Sequence, residues 1–162
     1  MVSATTRRTD GPLPTHIGLL TRLAHQAHVS TWERTVSSTT STVQFGALSY
    51  LDDHAGSSQQ ELSQAMDLDR STVAAIVQRL EHQGLLRRDR DTQDRRRNQL
   101  FVTDLGRTTR KRLTPLVLAE EQVLAESLSD EEKEQLRTLL KKLLLHNAAN
   151  RSAAHRHQGS NI

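Results

Sequence analysis

The stretch Leu68–Leu85, with the sequence LDRSTVAAIVQRLEHQGL, contains the beginning, the buried face and the end of one helix. Asp69 is a good N-cap, because its carboxylate can accept hydrogen bonds from the free backbone N–H groups of the first turn. Apolar residues recur at helical spacing and predict one buried stripe, which consists of Val73, Ile76, Val77 and Leu80. Gly84 predicts the end of the helix, since glycine adopts the left-handed conformation of a C-terminal stop without strain. We therefore predict a helix from Arg70 to about Gln83.

Shorter elements flank this helix on both sides. A short helix from Gln59 to about Met66 precedes it, and the tight turn Asp67–Asp69 joins the two. Two apolar runs, Leu85–Arg88 and Gln99–Thr103, follow and are typical of strands joined as a hairpin across a polar loop. The order of helix, tight turn, helix and two-stranded wing predicts a winged helix-turn-helix.

The rest of the chain is predicted to be helical. Apolar residues at helical spacing predict helices over about 15–36, 43–54, 105–127 and 129–146, the third of them capped by Asp104 and bent at Pro115. We expect a mainly α fold with a small β-hairpin wing, in which a winged helix-turn-helix joins a helical dimerisation region. The expected division is a disordered arm (1–14), an N-terminal dimerisation helix (15–42), a winged helix-turn-helix DNA-binding domain (43–104), C-terminal dimerisation helices (105–146) and a flexible tail (147–162).

The composition excludes several classes of protein. The 162 residues include no cysteine, which removes disulfides, thiolate metal sites and thiol nucleophiles. The sequence has no glycine-rich phosphate loop and no nucleophile with a plausible base, and the pairs Asp52–Asp53 and Glu131–Glu132 are interpreted as solvated charges. We therefore expect a protein that is not an enzyme and holds no cofactor.

Patterns for membrane insertion and metal binding are weak. No apolar run approaches the roughly 18 residues of a membrane span, and the first 14 residues lack the apolar core of a signal peptide. The pair His25-x-x-His28 has metal-ligand spacing on one helix face, but no cysteine or consistent carboxylate completes a site. We expect a cytoplasmic protein with no membrane partner and no metal.

Positive charge is concentrated in the middle of the chain. The net charge is only +3, but the segment from Arg70 to Arg112 contains twelve Arg or Lys residues against five Asp or Glu. The remainder contains ten basic residues against fourteen acidic ones. This distribution is typical of a surface that binds a polyanion, and the alternative is a solvated charged face.

The candidate DNA-reading residues lie on the helix-turn-helix and on the wing. Hydroxyl, amide and guanidinium groups are predicted on the side of the second helix opposite its buried stripe. A narrow minor groove attracts inserted arginine, so the hairpin tip is predicted to deliver Arg95–Arg97, with Asp94 pairing with and orienting them. The full predicted set is Gln59, Arg70, Ser71, Thr72, Ala75, Gln78, Arg79, Asp94, Arg95, Arg96 and Arg97. The alternative is a hairpin that is solvated and binds no ligand.

Several short motifs occur here in one order. They are LDRSTV (68–73), RLE (79–81), GL (84–85), Asp91, DRR (94–96), VT (102–103) and Gly106. In this combination the chain resembles the MarR family of bacterial transcription regulators, most closely over about 43–113. Two positions depart from the family pattern: Thr92 stands where proline is usual, and Val102 where leucine is usual.

The resemblance implies a homodimer with interleaved terminal helices and two winged modules on a pseudo-palindromic operator in double-stranded DNA. It also implies a small-molecule effector, aromatic or lipophilic, that weakens DNA binding, so that the protein acts as a repressor. The leucine stripes between 113 and 144 independently favour dimerisation, because the small winged module cannot cover them, although a monomeric helical bundle is the alternative. A winged helix that serves as an architectural or protein-interaction module, without a small-molecule effector, is the alternative function.

The first helix contains the candidate effector site. Effectors of the family are often aromatic or phenolic carboxylates held between the dimerisation helices and the winged module. Arg22, His25, His28 and Trp32 could supply cationic groups and a ring on which such a molecule stacks. Ordinary packing of an interface histidine and a core tryptophan is the alternative.

Overall fold

The computed structural model describes residues 15–90 and 98–158, and these form six helices and one two-stranded antiparallel sheet. In chain order the elements are α1 (Ile17–Thr35), α2 (Thr42–Asp53), α3 (Gln59–Met66), α4 (Arg70–His82), β1 (Leu86–Arg90), β2 (Asn98–Val102), α5 (Asp104–Leu124) and α6 (Asp130–Gln158). The predicted fold class, mainly α with a β-hairpin wing, is confirmed. The predicted arm at 1–14 and the predicted wing-tip residues Asp94, Arg95, Arg96 and Arg97 lie outside the described residues.

Side-chain caps fix where the helices of the winged module begin. Each of four helices starts after a side chain that accepts a hydrogen bond from a backbone N–H of the first turn, and these caps are Ser41, Ser58, Asp69 and Thr103. The prediction that Asp104 caps α5 is wrong, because Asp104 is the first residue within that helix. Thr103 Oγ1 accepts from the Gly106 N–H at 3.0 Å and also donates to the Gly84 carbonyl at 2.7 Å. This double role lets threonine take the cap position although aspartate is the better capping residue in general.

Two left-handed residues set the ends of the helix-turn-helix. Asp67 has a φ of 52° and ends α3, a conformation that the short polar side chain of aspartate tolerates. The Ser63 hydroxyl donates to the Leu68 carbonyl at 2.6 Å and closes the turn before α4. Gly84 has a φ of 70° and ends α4, as predicted. Leu85 follows and donates its N–H to the Leu80 carbonyl at 2.9 Å, so that the wing strand begins directly against the helix.

The core of the winged module lies between α2, α3, α4 and the hairpin. Its fully buried members are Ala47, Leu48, Leu51, Leu62, Val73, Val77, Leu80 and Leu100, and Leu85, Leu86 and Val102 are nearly so. Three of the four residues of the predicted α4 stripe are therefore fully buried, while Ile76 is half-buried against the same cluster. Burial of one such aliphatic side chain contributes roughly 1.5–3 kcal/mol, so this cluster fixes the orientation of α4.

A second core cluster joins α1 to α2 and α5. Trp32, Val36 and Leu113 are buried there, and Phe45 and Val117 pack against them. The indole Nε1 of Trp32 donates to the Thr40 carbonyl at 2.7 Å. This bond anchors the loop between α1 and α2, because it satisfies a buried donor and a backbone acceptor together.

Apolar side chains on α1 and α6 remain exposed in the single chain. Ile17 is 70% exposed, and the exposed leucines of α6 are Leu136, Leu139, Leu140, Leu143, Leu144 and Leu145. Helix α6 continues to Gln158, beyond its predicted end near His146, because residues 147–158 include neither glycine nor proline to stop it. None of the described helices is long and apolar enough to cross a membrane.

Candidate nucleic-acid interface

Helix α4 presents a polar surface to solvent along most of its length. Arg70, Ser71, Thr72, Ala75, Gln78 and Arg79 are all exposed, as the sequence predicted. The buried stripe opposite holds the helix by its other side, so the exposed groups are free to meet a ligand. An α-helix of this kind fits the major groove with its first turns at the base edges.

The first turn of α4 contains a compact hydrogen-bonded group. Asp69 accepts from the Thr72 backbone N–H at 2.9 Å and from the Thr72 hydroxyl at 2.5 Å. The Ser71 hydroxyl also donates to the Asp69 carboxylate. The side-chain hydrogen bonds from Ser71 and Thr72 hold the pKa of Asp69 well below its ordinary value of 3.8, because they stabilise the ionised form.

The N-termini of α3 and α4 border a small cleft of about 230 Å³. Gln59, Gln60 and Arg70 line it, so the structure brings two of the predicted DNA-binding residues together. The Arg70 guanidinium and the positive ends of the two helix dipoles favour an anionic group such as a phosphate, although Ser58 and Asp69 each already accept one first-turn N–H.

The described part of the wing has its own internal pairing. The Arg87 guanidinium lies 4.6 Å from the centre of the Phe101 ring and also contacts the Asp89 carboxylate. Arg88 on β1 pairs with Glu81 on α4 at 2.7 Å. The Arg87–Phe101 contact joins the two strands, and the Arg88–Glu81 pair fastens β1 to α4.

A larger cleft of about 510 Å³ lies between α1, the α1–α2 loop and α4. The residues of α1, the α1–α2 loop and the start of α2 that line it are Val29, Trp32, Glu33, Ser37, Ser38, Thr39, Ser41, Thr42 and Gln44. The residues of α4 that line it are Thr72, Ala75, Ile76 and Arg79. Three predicted DNA-reading residues, Thr72, Ala75 and Arg79, thus also form one wall of a cleft.

The lining of this cleft includes two donor side chains, Gln44 and Arg79, and one carboxylate, Glu33. Gln44 is only 4% exposed, and its Nε2 has no hydrogen-bond partner among the described residues, whereas its Oε1 accepts from the Ser41 N–H at 2.9 Å. A buried amide N–H₂ without an acceptor is costly, so an oxygen acceptor from a bound molecule would stabilise it. Arg79 forms no ion pair within the described ranges and supplies a positive charge on the same cleft.

The predicted effector residues separate into two groups. His28 and Trp32 meet edge to face, with ring centres 6.0 Å apart, and Trp32 lines the larger cleft. The two ring nitrogens of His28 lie 3.2 Å from Glu120 Oε1 and 2.9 Å from Thr42 Oγ1. Arg22 and His25 are exposed earlier on α1 and lie outside the lining of the cleft.

The sequence did not reveal Gln44 or Glu120 as members of this region. Gln44 occurs in a run that predicts only a helix start, and its unpaired amide becomes visible only when α1 and α4 are packed beside it. Glu120 has the spacing of a solvated helix residue, yet it is 4% exposed because α1 places His28 against it. The burial and contacts of these two residues cannot be predicted from a single sequence, because they depend on contacts between segments that are distant in the chain.

Comparison with known proteins agrees with this arrangement. A family model described as MarR family matches residues 38–97. A putative transcriptional regulatory protein for the hcr operon of Thauera aromatica is 33% identical over 135 residues, which cover 82% of this chain and 81% of that protein.

Two solved structures extend the similarity to nearly their full length. The PcaV transcriptional regulator from Streptomyces coelicolor, in complex with its natural ligand, superposes with a TM-score of 0.78 at 34% identity over 85% of this chain and 97% of that chain. BpsR of Bordetella bronchiseptica, described through the regulation of its DNA binding by 6-hydroxynicotinic acid, gives a TM-score of 0.75 at 29% identity, covering 82% and 97%. Fold, matched segment and relatives all point to a non-enzymatic DNA-binding protein. The chain belongs to the MarR family of transcriptional regulators.

Proposed function

We propose that this protein is a homodimeric repressor that leaves its operator when an aromatic or heteroaromatic carboxylate occupies the cleft between α1, the α1–α2 loop and α4. The main support for the proposal is an overlap of residues. Thr72, Ala75 and Arg79 lie on the exposed face of α4 and also line the cleft. A molecule bound there contacts the DNA-reading helix directly. Effector and DNA therefore act on the same side chains.

The proposed DNA contacts follow from the geometry of the winged module, residues 43–104. Helix α4 enters the major groove, with Ser71, Ala75 and Gln78 toward the base edges. Gln59 and Arg70 bind a phosphate at the N-termini of α3 and α4. Arg95, Arg96 and Arg97, oriented by Asp94, bind the adjacent minor groove. Because duplex DNA is the ligand, we place the protein in the cytoplasm.

The proposed dimer uses the helices outside the winged module, residues 15–42 and 105–146. Leucines of α6 and apolar residues of α1 are exposed in one chain, and a second copy would cover them. A twofold axis through these helices gives two copies of α4 the symmetry of a pseudo-palindromic operator. The PcaV and BpsR structures match 85% and 82% of this chain, which supports the same helical frame here.

The chemistry of the cleft supports a carboxylate on a flat ring as effector. Val29 and Ile76 offer an apolar surface beside the buried Trp32, and the Arg79 guanidinium can bind a carboxylate, while the enclosed Gln44 amide reaches the second oxygen only after a local opening. The DNA binding of BpsR is regulated by 6-hydroxynicotinic acid, which is a compound of this class. His28 lies behind Trp32 and holds it against the loop, so a rearrangement of Trp32 would be transmitted to α2 and α5.

The test uses Trp32, the single tryptophan of the chain, as the reporter. The operator is first obtained by selecting bound duplexes from a random DNA library. Benzoate, nicotinate and 6-hydroxynicotinate are then titrated, and we expect one of them to change the Trp32 fluorescence and to release the operator over the same concentration range. Release without a fluorescence change would place the effector elsewhere.

Gln44→Glu provides the decisive variant. Glutamate keeps the bond to the Ser41 N–H but turns the free amide into a carboxylate, which repels an anionic effector. We expect at least a tenfold weaker effector response, which corresponds to about 1.4 kcal/mol, with operator binding retained. Gln122→Glu, on an exposed position of α5, is the matched control and should respond as the wild type does. Selection of no sequence at all would contradict the regulator itself, whereas an operator that no compound releases would contradict only the effector.

A further inference from the structure

The hydroxyl groups of Ser71 and Thr72 are directed by one carboxylate. Both donate to Asp69, the cap of α4, with the Thr72 hydroxyl at 2.5 Å. A hydroxyl has one hydrogen to donate and two lone pairs that accept, and an ionised carboxylate can only accept. The direction of both hydrogen bonds is therefore fixed, and each hydroxyl has only acceptor capacity left for another partner.

Because both hydroxyls can only accept, α4 can bind only some of the groups that the bases present in the major groove. In the major groove, adenine and cytosine present amino groups that donate, while guanine and the thymine carbonyl present acceptors. A hydroxyl that can only accept will bind an amino group and will not bind an acceptor. It also cannot bind a phosphate oxygen, which is an acceptor as well.

We propose that Asp69 is a specificity-determining residue: it holds Ser71 and Thr72 as acceptors, so that α4 selects adenine or cytosine over guanine or thymine on the strand that faces its first turn. The inference rests on the proposed entry of α4 into the major groove. Asp69 acts through its two neighbours and is a positioning residue, not a DNA-binding one.

Two further observations support the assignment. Asp69 is ionised at neutral pH, and the hydrogen bonds of Ser71 and Thr72 stabilise that form further by lowering its pKa. The backbone N–H of Thr72 also donates to Asp69 at 2.9 Å, and this third hydrogen bond favours the side-chain position in which the carboxylate accepts from both hydroxyls. The charge itself repels phosphates, which means that Asp69 lowers affinity for DNA in general while it sharpens the selection of bases.

The first experiment compares the wild type with Asp69→Asn in selection from a random duplex library. Asparagine is as good a cap as aspartate, so α4 is retained, but its amide N–H₂ donates to a neighbouring hydroxyl and frees that hydroxyl's hydrogen. We expect the preference for adenine or cytosine at the contacted position to fall about fivefold, the size of one hydrogen bond. Affinity for random duplex should rise at the same time, because a negative charge has been removed. A role confined to helix capping would lower both quantities together, which separates the two explanations.

The second experiment leaves the Asp69 carboxylate and its bond to the Thr72 N–H in place. Ser71→Ala with Thr72→Val removes both hydroxyls and should abolish the preference, and Asp69→Asn should then add no further change in preference. Replacement of the contacted adenine by purine, which lacks the amino group, should weaken the wild type about fivefold and leave the double variant unchanged.

The outcomes distinguish this inference from the function on which it depends. A wild-type protein that selects no sequence would contradict the proposed regulator. If an operator is selected, but the adenine or cytosine preference survives loss of both hydroxyls, α4 still reads DNA and the role of Asp69 is refuted. Persistence of the preference in a folded Asp69→Asn protein would refute it equally.

Discussion

The side chain of His28 on α1 lies 3.2 Å from the buried carboxylate of Glu120 on α5, measured from Nδ1 to Oε1. Its other ring nitrogen lies 2.9 Å from the hydroxyl of Thr42 at the start of α2. One histidine therefore links the helices of the proposed dimerisation region to the winged module, next to the tryptophan of the proposed effector cleft. Polar contacts buried at such a junction hold the helices in one relative position.

Removal of His28 should destabilise the protein strongly. In His28→Ala the Glu120 carboxylate stays buried and loses this partner, and we expect the free energy of unfolding to fall by about 3 kcal/mol. Urea unfolding at one fixed protein concentration measures the change. His82→Ala, an exposed histidine at the end of α4 and outside the proposed dimer helices, is the control and should stay within about 0.5 kcal/mol of the wild type. If the double variant His28→Ala with Glu120→Leu regains stability, the buried carboxylate without a partner causes the loss. If the single and double variants lose the same free energy of unfolding, that explanation is contradicted.

Two helical glycines should respond in opposite directions to alanine. A Cβ atom at Gly106 would lie 2.2 Å from the Leu85 carbonyl oxygen and 2.7 Å from Cγ1 of Val102, so α5 would have to move away from the hairpin. We expect Gly106→Ala to lower the free energy of unfolding by about 2 kcal/mol or more.

Gly46→Ala provides the comparison. Its nearest neighbour would be the flexible end of Met66 at 3.3 Å, and alanine favours the helix by about 1 kcal/mol over glycine, so stability should be unchanged or increased. Thermal melting of both variants tests the pair. A destabilised Gly46→Ala beside an unaffected Gly106→Ala would show that the packing around α5 differs from that described.

The sequence predicted those parts of the fold that depend on local patterns. The boundaries of α3 and α4, the stop at Gly84 and the hairpin follow from caps, apolar spacing and turn residues, which act within a few positions of the chain. The end of α6 was misjudged because a polar segment without glycine or proline can continue a helix. Thr103, not Asp104, caps α5 because a tertiary contact with Gly84 decides between two suitable neighbours.

The candidate site was predictable to a smaller extent. Exposure of the α4 residues follows from the helical period, since the apolar stripe fixes the opposite face. The shared wall of Thr72 and Arg79 with Trp32 could not be foreseen, because it requires the relative position of α1 and α4. The same is true of the unpaired amide of Gln44, which is a property of packing and not of the local sequence.

The wing arginines should contribute affinity that depends on salt. We expect Arg96→Ala to weaken operator binding by about tenfold, since loss of a cation removes one charge contact and reduces the slope of log affinity against log salt by about 1. Titration of labelled operator at several salt concentrations measures both quantities. Lys141→Ala removes the same charge from an exposed position on α6 and should change neither. Equal affinity of Arg96→Ala and the wild type at fixed salt would show that the wing does not bind the operator.

The lowered pKa of Asp69 predicts how stability depends on acid. Its pKa is below the ordinary 3.8 in the folded protein and returns to that value on unfolding, so the ionised carboxylate stabilises the fold at any pH above about 4. As the pH falls below that value toward the folded pKa, the stabilisation is lost. Asparagine does not titrate, and the difference in melting temperature between the wild type and Asp69→Asn should therefore be constant from pH 7 to about pH 5 and then change in favour of the variant as the pH falls.

The hydroxyls supply an internal control for this titration. Ser71→Ala with Thr72→Val removes the two largest causes of the lowered pKa, so the effect of Asp69→Asn should become smaller and less dependent on pH in that background. Melting curves of the four proteins between pH 3 and pH 7 decide the matter. The difference in melting temperature between wild type and Asp69→Asn could instead be the same at every pH. The pKa of Asp69 would then be equal in the folded and unfolded protein. In that case the hydrogen bonds that fix Ser71 and Thr72 as acceptors would be absent in solution.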